Sequence, residues 1–210
     1  TTTFLNLPQF AFYLKLFCKQ DIKMYQSSQD WFTNSEIKTQ LQHHLDKDRE
    51  LCMLEIGTFE GLSTTFLADN FLNHENSTLD AVDPFLAIDD NDHKDYLNEA
   101  ELKFDHNISI CQNKTKITVH KMTSDDFFKT CDKTYDFIYI DGCHLCDFIK
   151  RDMENSFQRL NENGIMWMDD YLGGAHGDDS IKKTMDEFLL QNKDKLNSIH
   201  SQYQLAFTKK

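Results

Sequence analysis

Proline and glycine are scarce, two and seven among 210 residues. No stretch therefore reads as a Pro/Gly/Ser linker, no low-complexity tract or internal repeat is found, and residues 1–210 are expected to form one domain of ordinary size. Positive charge is also short: 22 Lys+Arg stand against 35 Asp+Glu, a net of −13. That argues against a nucleic-acid surface, which needs a basic stripe to displace counterions from phosphates. No apolar run approaches the roughly 20 residues of a membrane span, and no membrane partner is expected. The six cysteines (Cys18, Cys52, Cys111, Cys131, Cys143, Cys146) are scattered and do not form the framework of a short secreted scaffold. A reducing, cytoplasmic compartment is expected. The apolar, aromatic start lacks a basic leader and a small-residue cleavage site, and the missing initiator Met implies a trimmed or processed chain. Lys outnumbers Arg and Asn is frequent, a bias that suggests an AT-rich coding genome.

What is present is a change of period. Up to about residue 50 the chain reads as helical and connecting material, with Ile37, Leu41 and Leu45 at helical spacing. From Leu51 onward, short apolar runs alternate with helical stretches. Leu51–Ile56, Thr78–Val82, Lys116–His120, Phe137–Ile140 and Ile165–Met168 read as five strands. The intervening helices are expected over Leu62–Phe71, Asp89–Ile110, from Ser124 as N-cap, and over Asp147–Leu160, the last closed by Asn163-Gly164 as C-cap. A helix over Ser180–Leu190 and a hairpin within Ser198–Thr208 complete the chain. Alternation at this spacing predicts an α/β fold with a mostly parallel sheet and a C-terminal antiparallel hairpin.

Two strands end on acids: Tyr135–Ile140 runs into Asp141-Gly142-Cys143-His144, and Gly164–Met168 delivers Asp169-Asp170. In an open parallel sheet both ends lie at the carboxyl edge, where ligands bind. Three acids converging there suggest a divalent metal site, and His144 a base. At the first strand, Glu55-Ile56-Gly57-Thr58-Phe59-Glu60-Gly61 places glycine where a tight turn and close backbone approach to a ligand are needed, but lacks the third glycine of a dinucleotide fingerprint. Asp83 stands at the tip of the next strand, where an acid can accept both hydroxyls of a ribose. Loop and acid together indicate an adenosine-type cofactor. Cys143-His144-Leu145-Cys146 supplies only half a structural zinc site. His43, His44 and the other histidines read as surface, except His176 in a glycine-rich loop that could close over substrate.

Leu54–Gly61 resembles the first motif of class I S-adenosylmethionine-dependent methyltransferases, and Ala81-Val82-Asp83-Pro84 resembles the second. Tyr135–His144 and Gly164–Tyr171 are similar to later motifs of the small O-methyltransferase branch, the catechol-type and sugar enzymes. The resemblance covers about residues 51–190 and implies a Rossmann-like, seven-stranded sheet with helices on both faces. It implies a cofactor-binding core over 51–210 and an N-terminal, acceptor-side segment over 1–50. It assigns Glu55, Gly57 and Gly61, with Thr58, Phe59 and Ser63, to the methionine part of S-adenosylmethionine, and Asp83 to its ribose. Ser124 or Asp125 would meet the adenine, and Asp141 would also border the cofactor. Asp141, Asp169 and Asp170 occupy the positions that hold Mg2+ in metal-dependent members, and His144 stands where catechol-type enzymes use Lys as base.

The implied activity is methyl transfer to a hydroxyl of a small acceptor, the Asp-Gly-x-His and Asp-Asp-Tyr forms leaning toward a sugar. Rivals are a metal-independent O- or N-methyltransferase, a cofactor-binding partner protein without turnover and, more distantly, a nicotinamide reductase. The aromatic N-terminal region is expected either to line the acceptor pocket or to form the contact of a homodimer.

Overall fold

The structure, a computed structural model, describes residues 24–86, 94–172 and 179–210. Cys18 and the loop carrying His176 lie outside them. Seven strands form one sheet: β1 Cys52–Ile56, β2 Thr78–Val82, β3 Ile117–His120, β4 Tyr135–Ile140, β5 Leu160–Met168, β6 Leu196–Ser201 and β7 Leu205–Lys209. Their order is β3-β2-β1-β4-β5-β7-β6. The first five run parallel, and β7 pairs antiparallel with both β5 and β6. The sheet, its parallel order and the C-terminal hairpin are as expected.

The helices are α1 Ile37–Gln40, α2 Leu62–Phe71, α3 Lys94–Ile110, α4 Ser124–Thr130, α5 Cys146–Arg159 and α6 Ser180–Asn192. Alternation along the strands feeds two cores. Leu54, Ile56, Ile138, Ile140, Met166 and Met168 pack with residues of α4, α5 and α6. Met53, Phe137, Tyr139, Ile165 and Trp167 pack on the other face with residues of α1 and α2. Burial on both faces is why these strands read as continuous apolar runs. No helix among the described residues is long and apolar enough to cross a membrane.

Several local expectations need correction. The N-cap of α4 is Thr123, whose hydroxyl accepts from Asp126 N; Ser124 is the first helical residue. Helix α5 ends at Arg159 and the chain turns directly into extended Leu160. Asn163, at φ 60°, and Gly164 lie inside β5, beside the shift in the β4–β5 register. A left-handed Asn followed by Gly suits an irregular strand as well as a helix end. The Ile37–Leu45 segment breaks after one α-turn into a 3-10 turn over Leu41–His43, yet Ile37, Leu41 and Leu45 are all buried, as their spacing implies. Helix α3, for which the sparse apolar spacing predicts a surface helix, also reaches the core: Phe104 is fully buried against Phe85. Its expected start at Asp89 lies outside the described residues.

Candidate active site at the carboxyl edge of the sheet

The turn between β1 and α2 fits its glycines closely. Gly57 and Gly61 take φ of 82° and 78°, which glycine alone adopts without strain. A Cβ on Gly57 would lie 2.0 Å from the backbone oxygen of Asp141. The loop can therefore press against the end of β4 only with glycine there. Asp83, at the tip of β2, accepts from Thr58 N at 2.8 Å and Phe59 N at 3.0 Å, and from Phe85 N at 2.7 Å. The acid expected at a ribose is thus also the brace of the glycine loop.

Glu55 is fully buried at the end of β1, and neither carboxylate oxygen makes a hydrogen bond of ordinary geometry. Burial raises its pKa to about 7, with Ser63 and Thr64 opposing weakly. A buried acid with spare acceptor capacity beside a tight glycine turn fits a ligand carrying a cationic amino group. Ser63, on α2, is itself buried.

The expected adenine-side residues have other partners. Asp125 is paired with Arg151 at 3.2 Å. Ser124 hydrogen-bonds Asp152, a buried carboxyl that burial lifts to about 6. Asp152 reaches toward Gly142, which follows Asp141.

At the ends of β4 and β5, oxygens of Asp141 and Asp170 and a ring nitrogen of His144 all lie within 4.8 Å of one another. His144 Nε2 is 2.7 Å from Asp170 Oδ2 and is shut off from solvent. Asp170 sits at φ 57° and its Oδ1 accepts from the Tyr203 hydroxyl at 2.6 Å. Asp169 faces differently. Its Oδ2 accepts from Tyr139 at 2.7 Å and from Gln204 Nε2 at 2.9 Å, and its Oδ1 accepts from Asp170 N at 2.8 Å. Tyr139 also donates to Asp141 at 3.2 Å. Tyr139 thus ties Asp141 to Asp169, and His144 pairs with Asp170.

Burial, then repulsion from Asp169 and Asp170, pushes Asp141 well above the usual carboxylate range. Burial and Asp170 also raise Asp169, against the Tyr139 hydrogen bond. Asp170 goes the other way: burial opposes ionisation, but the hydrogen bond and charge of His144 hold it low. Like charges this close cannot all ionise alone, and a divalent cation would relieve them. The donor set fits such an ion. A crevice of about 310 Å3, its open mouth included, is lined by these acids, His144 and the methionines 153, 168 and 185.

Sequence reasoning missed Tyr139, Tyr203, Gln204 and Glu60. Tyr139 stands two residues before Asp141 on one strand, so alternation could have found it. Tyr203 and Gln204 lie between β6 and β7 and carry no local signal. Gln204 joins Asp169 to Trp167, Ile37 and Ser35. Glu60 anchors the N-terminal segment: it accepts from Ser28 N and Oγ, both at 2.7 Å, and pairs with Lys103. Trp31 stacks on Phe59 with centroids 5.4 Å apart.

Residues 54–171 match a family described as a methyltransferase domain. Among proteins of curated function no sequence matches the chain significantly. The fold is similar to that of an O-methyltransferase from Streptomyces achromogenes involved in tomaymycin synthesis, solved with S-adenosylmethionine (18% identity, TM-score 0.59, 81% of this chain and 78% of that one). It is also similar to an O-methyltransferase from Bacillus cereus in complex with S-adenosylhomocysteine (14%, 0.55, 99% and 94%). An rRNA methylase from Streptococcus thermophilus shares the fold as well (14%, 0.56, 80% and 91%).

Proposed function

This chain belongs to the methyltransferase-domain family, and we propose that it uses S-adenosylmethionine to methylate a hydroxyl of a small acceptor. The observation that carries this is the pairing, at one sheet edge, of a glycine loop over buried Glu55 with the Asp141–His144–Asp170 cluster. The first suits a cationic methyl donor, and the second suits removal of a proton from an oxygen nucleophile.

In the reaction, the acceptor oxygen attacks the methyl carbon in line with sulfur. The carbon–sulfur bond breaks, its electron pair stays on sulfur, and the sulfonium becomes a thioether. The hydroxyl proton leaves to the cluster. Glu55, Gly57, Thr58, Phe59, Gly61 and Ser63 would hold the methionine part. Asp83 would hold the ribose, and Ser124, Asp125 and Asp152 would border the adenine side. A divalent ion on Asp141 and its neighbours would supply positive charge that acidifies the hydroxyl.

For the acceptor we favour a sugar or glycosylated metabolite, supported by the Asp141-Gly-x-His144 and Asp169-Asp170-Tyr171 forms. The rRNA methylase likeness does not move this reading, because a net charge of −13 disfavours a phosphate backbone. The test is transfer of labelled methyl from S-adenosylmethionine to a panel of hydroxylated sugars, phenols and RNA. Labelled ether in a sugar or phenol supports the proposal, whereas label only in RNA or in an amine overturns it.

A further inference from the structure

We propose that Gln204 is a positioning residue for methyl transfer, its side-chain amide holding Asp169 in the orientation that lets the Tyr139 hydroxyl serve Asp141 as well. The inference rests on reading this edge as the acceptor-activating centre. It adds a residue of the turn before β7 that would touch neither methyl donor nor acceptor.

The polarity of this amide is fixed from both ends. Its Oε1 accepts from the backbone N–H of Ile37 and from the Trp167 indole N–H, each at 2.8 Å. Neither group can accept, so a flipped amide would set N–H against N–H and leave buried donors unpaired. Nε2 must therefore point the other way, to Ser35 Oγ at 2.8 Å and Asp169 Oδ2 at 2.9 Å. Two accepted and two donated bonds use the full capacity of the side chain. The backbone is held too, Gln204 N donating to Glu36 Oε2 at 2.9 Å. Gln204 is 1% exposed, so solvent has little access to any of these bonds.

The consequence falls on Tyr139. Its hydroxyl lies 2.7 Å from Asp169 Oδ2 and 3.2 Å from Asp141 Oδ2. With one proton it donates to only one of them at a time. Asp169 Oδ2 has a second donor in Gln204, and Oδ1 has the Asp170 N–H at 2.8 Å. When the Tyr139 proton turns to Asp141, Asp169 therefore keeps a donor on each oxygen and keeps its place beside the crevice. Without Gln204, Asp169 Oδ2 would hold the Tyr139 proton for itself, and Asp141 would lose its share. Gln204 thus acts on the crevice through Asp169 and Tyr139, away from the glycine turn and Glu55.

The experiment measures transfer to a hydroxylated acceptor from the panel above, as kcat and KM per S-adenosylhomocysteine-binding site, so that unfolded protein does not count. Gln204→Met keeps the length of the side chain and removes its four hydrogen bonds. Expected is a fall in kcat of about tenfold to a hundredfold, the size of one lost hydrogen bond to a charged group, with KM for S-adenosylmethionine within about threefold of wild type. Trp167→Phe removes one donor to Oε1 but leaves the bond to Asp169. It should melt at a lower temperature and turn over near the wild-type kcat. Gln204→Glu is the closest in shape should the methionine variant fail to fold. It still accepts from Ile37 and Trp167 but can donate to Asp169 only while protonated, so its kcat should fall with rising pH relative to wild type. Wild-type turnover in Gln204→Met, an equal loss in Trp167→Phe, or a Gln204→Glu profile parallel to that of wild type would each overturn the role.

A second readout needs no acceptor. Nitrogen-edited NMR of wild type should show both Gln204 side-chain N–H protons exchanging slowly with solvent, one of them shifted in Asp169→Asn. Fast exchange of both would overturn the junction itself. Slow exchange in a wild type that transfers to no hydroxyl would instead overturn the proposed acceptor class.

Discussion

At the residue scale, the account rests on acids whose surroundings assign them different tasks. Glu55 and Asp141 are both buried at strand ends, but one faces the glycine turn and the other the His144 cluster. Glu55 gives a pH signature. Its folded pKa of about 7 lies above the ordinary 4.5 of a free Glu, so below the lower value the group is neutral in both states and costs nothing. Between the two values the folded state binds more protons than the unfolded one, and stability falls as pH rises. Above pH 7 the full penalty, on the order of 3 kcal/mol, persists. Thermal melts of ligand-free wild type and Glu55→Gln should therefore coincide near pH 4.5 and diverge toward pH 7.5, with the variant the more stable. Parallel profiles would sink this reading. His144→Ala and Asp141→Asn should each lower methyl transfer by roughly a hundredfold or more, a general-acid/base-sized loss. Binding of S-adenosylhomocysteine should change only a few-fold, which equilibrium titration checks.

The residue scale is also where the sequence was least complete. That Asp141, Asp169 and Asp170 meet at one edge was legible, because acids ending parallel strands can lie nowhere else. Which of them face one another was not. The orientation of Asp169 is set by Tyr139 and by Gln204, which lies 35 positions further along the chain. Such a long-range side-chain bond leaves no periodicity.

At the element scale, the strand-to-helix turn after β1 joins the two halves of the site. Gly57→Ala would force a Cβ against the Asp141 carbonyl and a strained positive φ at once. We expect a cost on the order of 3 kcal/mol, read as a fall in Tm of roughly 6–12 °C for a chain of this size. Weakened S-adenosylhomocysteine binding should accompany it; an unchanged Tm would show that the loop is looser than described. The N-terminal segment is a second element with a purpose. Ser28, Gln26 and Trp31 fasten it to Glu60, Asn107 and Phe59, directly over the glycine turn. Glu60→Ala should release it, and limited proteolysis should then cut within about residues 24–34 faster than in wild type, with bound S-adenosylhomocysteine dissociating faster.

Strands and the longer helices were readable because apolar runs buried on both faces have few alternative structures. Ends were less so. Asn163-Gly164 carries the same left-handed turn signal at a helix end and within an irregular strand, and only the pairing of β5 with β4 decides between them.

At the scale of the whole molecule, the sheet separates two tasks along one edge. On the proposed reading the β1 and β2 ends would supply the donor side and the β4 and β5 ends the acceptor side, and Gly57 packs on Asp141 between them. The β6–β7 hairpin closes the acceptor side by placing Tyr203 on Asp170 and Gln204 on Asp169. The most direct test of this division is calorimetric titration of S-adenosylhomocysteine into wild type, Asp83→Ala and Asp141→Asn, with methyl transfer assayed on the same samples. The account predicts saturable binding to wild type, binding weakened by roughly tenfold or more in Asp83→Ala, and near-normal binding with transfer lost in Asp141→Asn. No binding to wild type, or full transfer by Asp141→Asn, would contradict it.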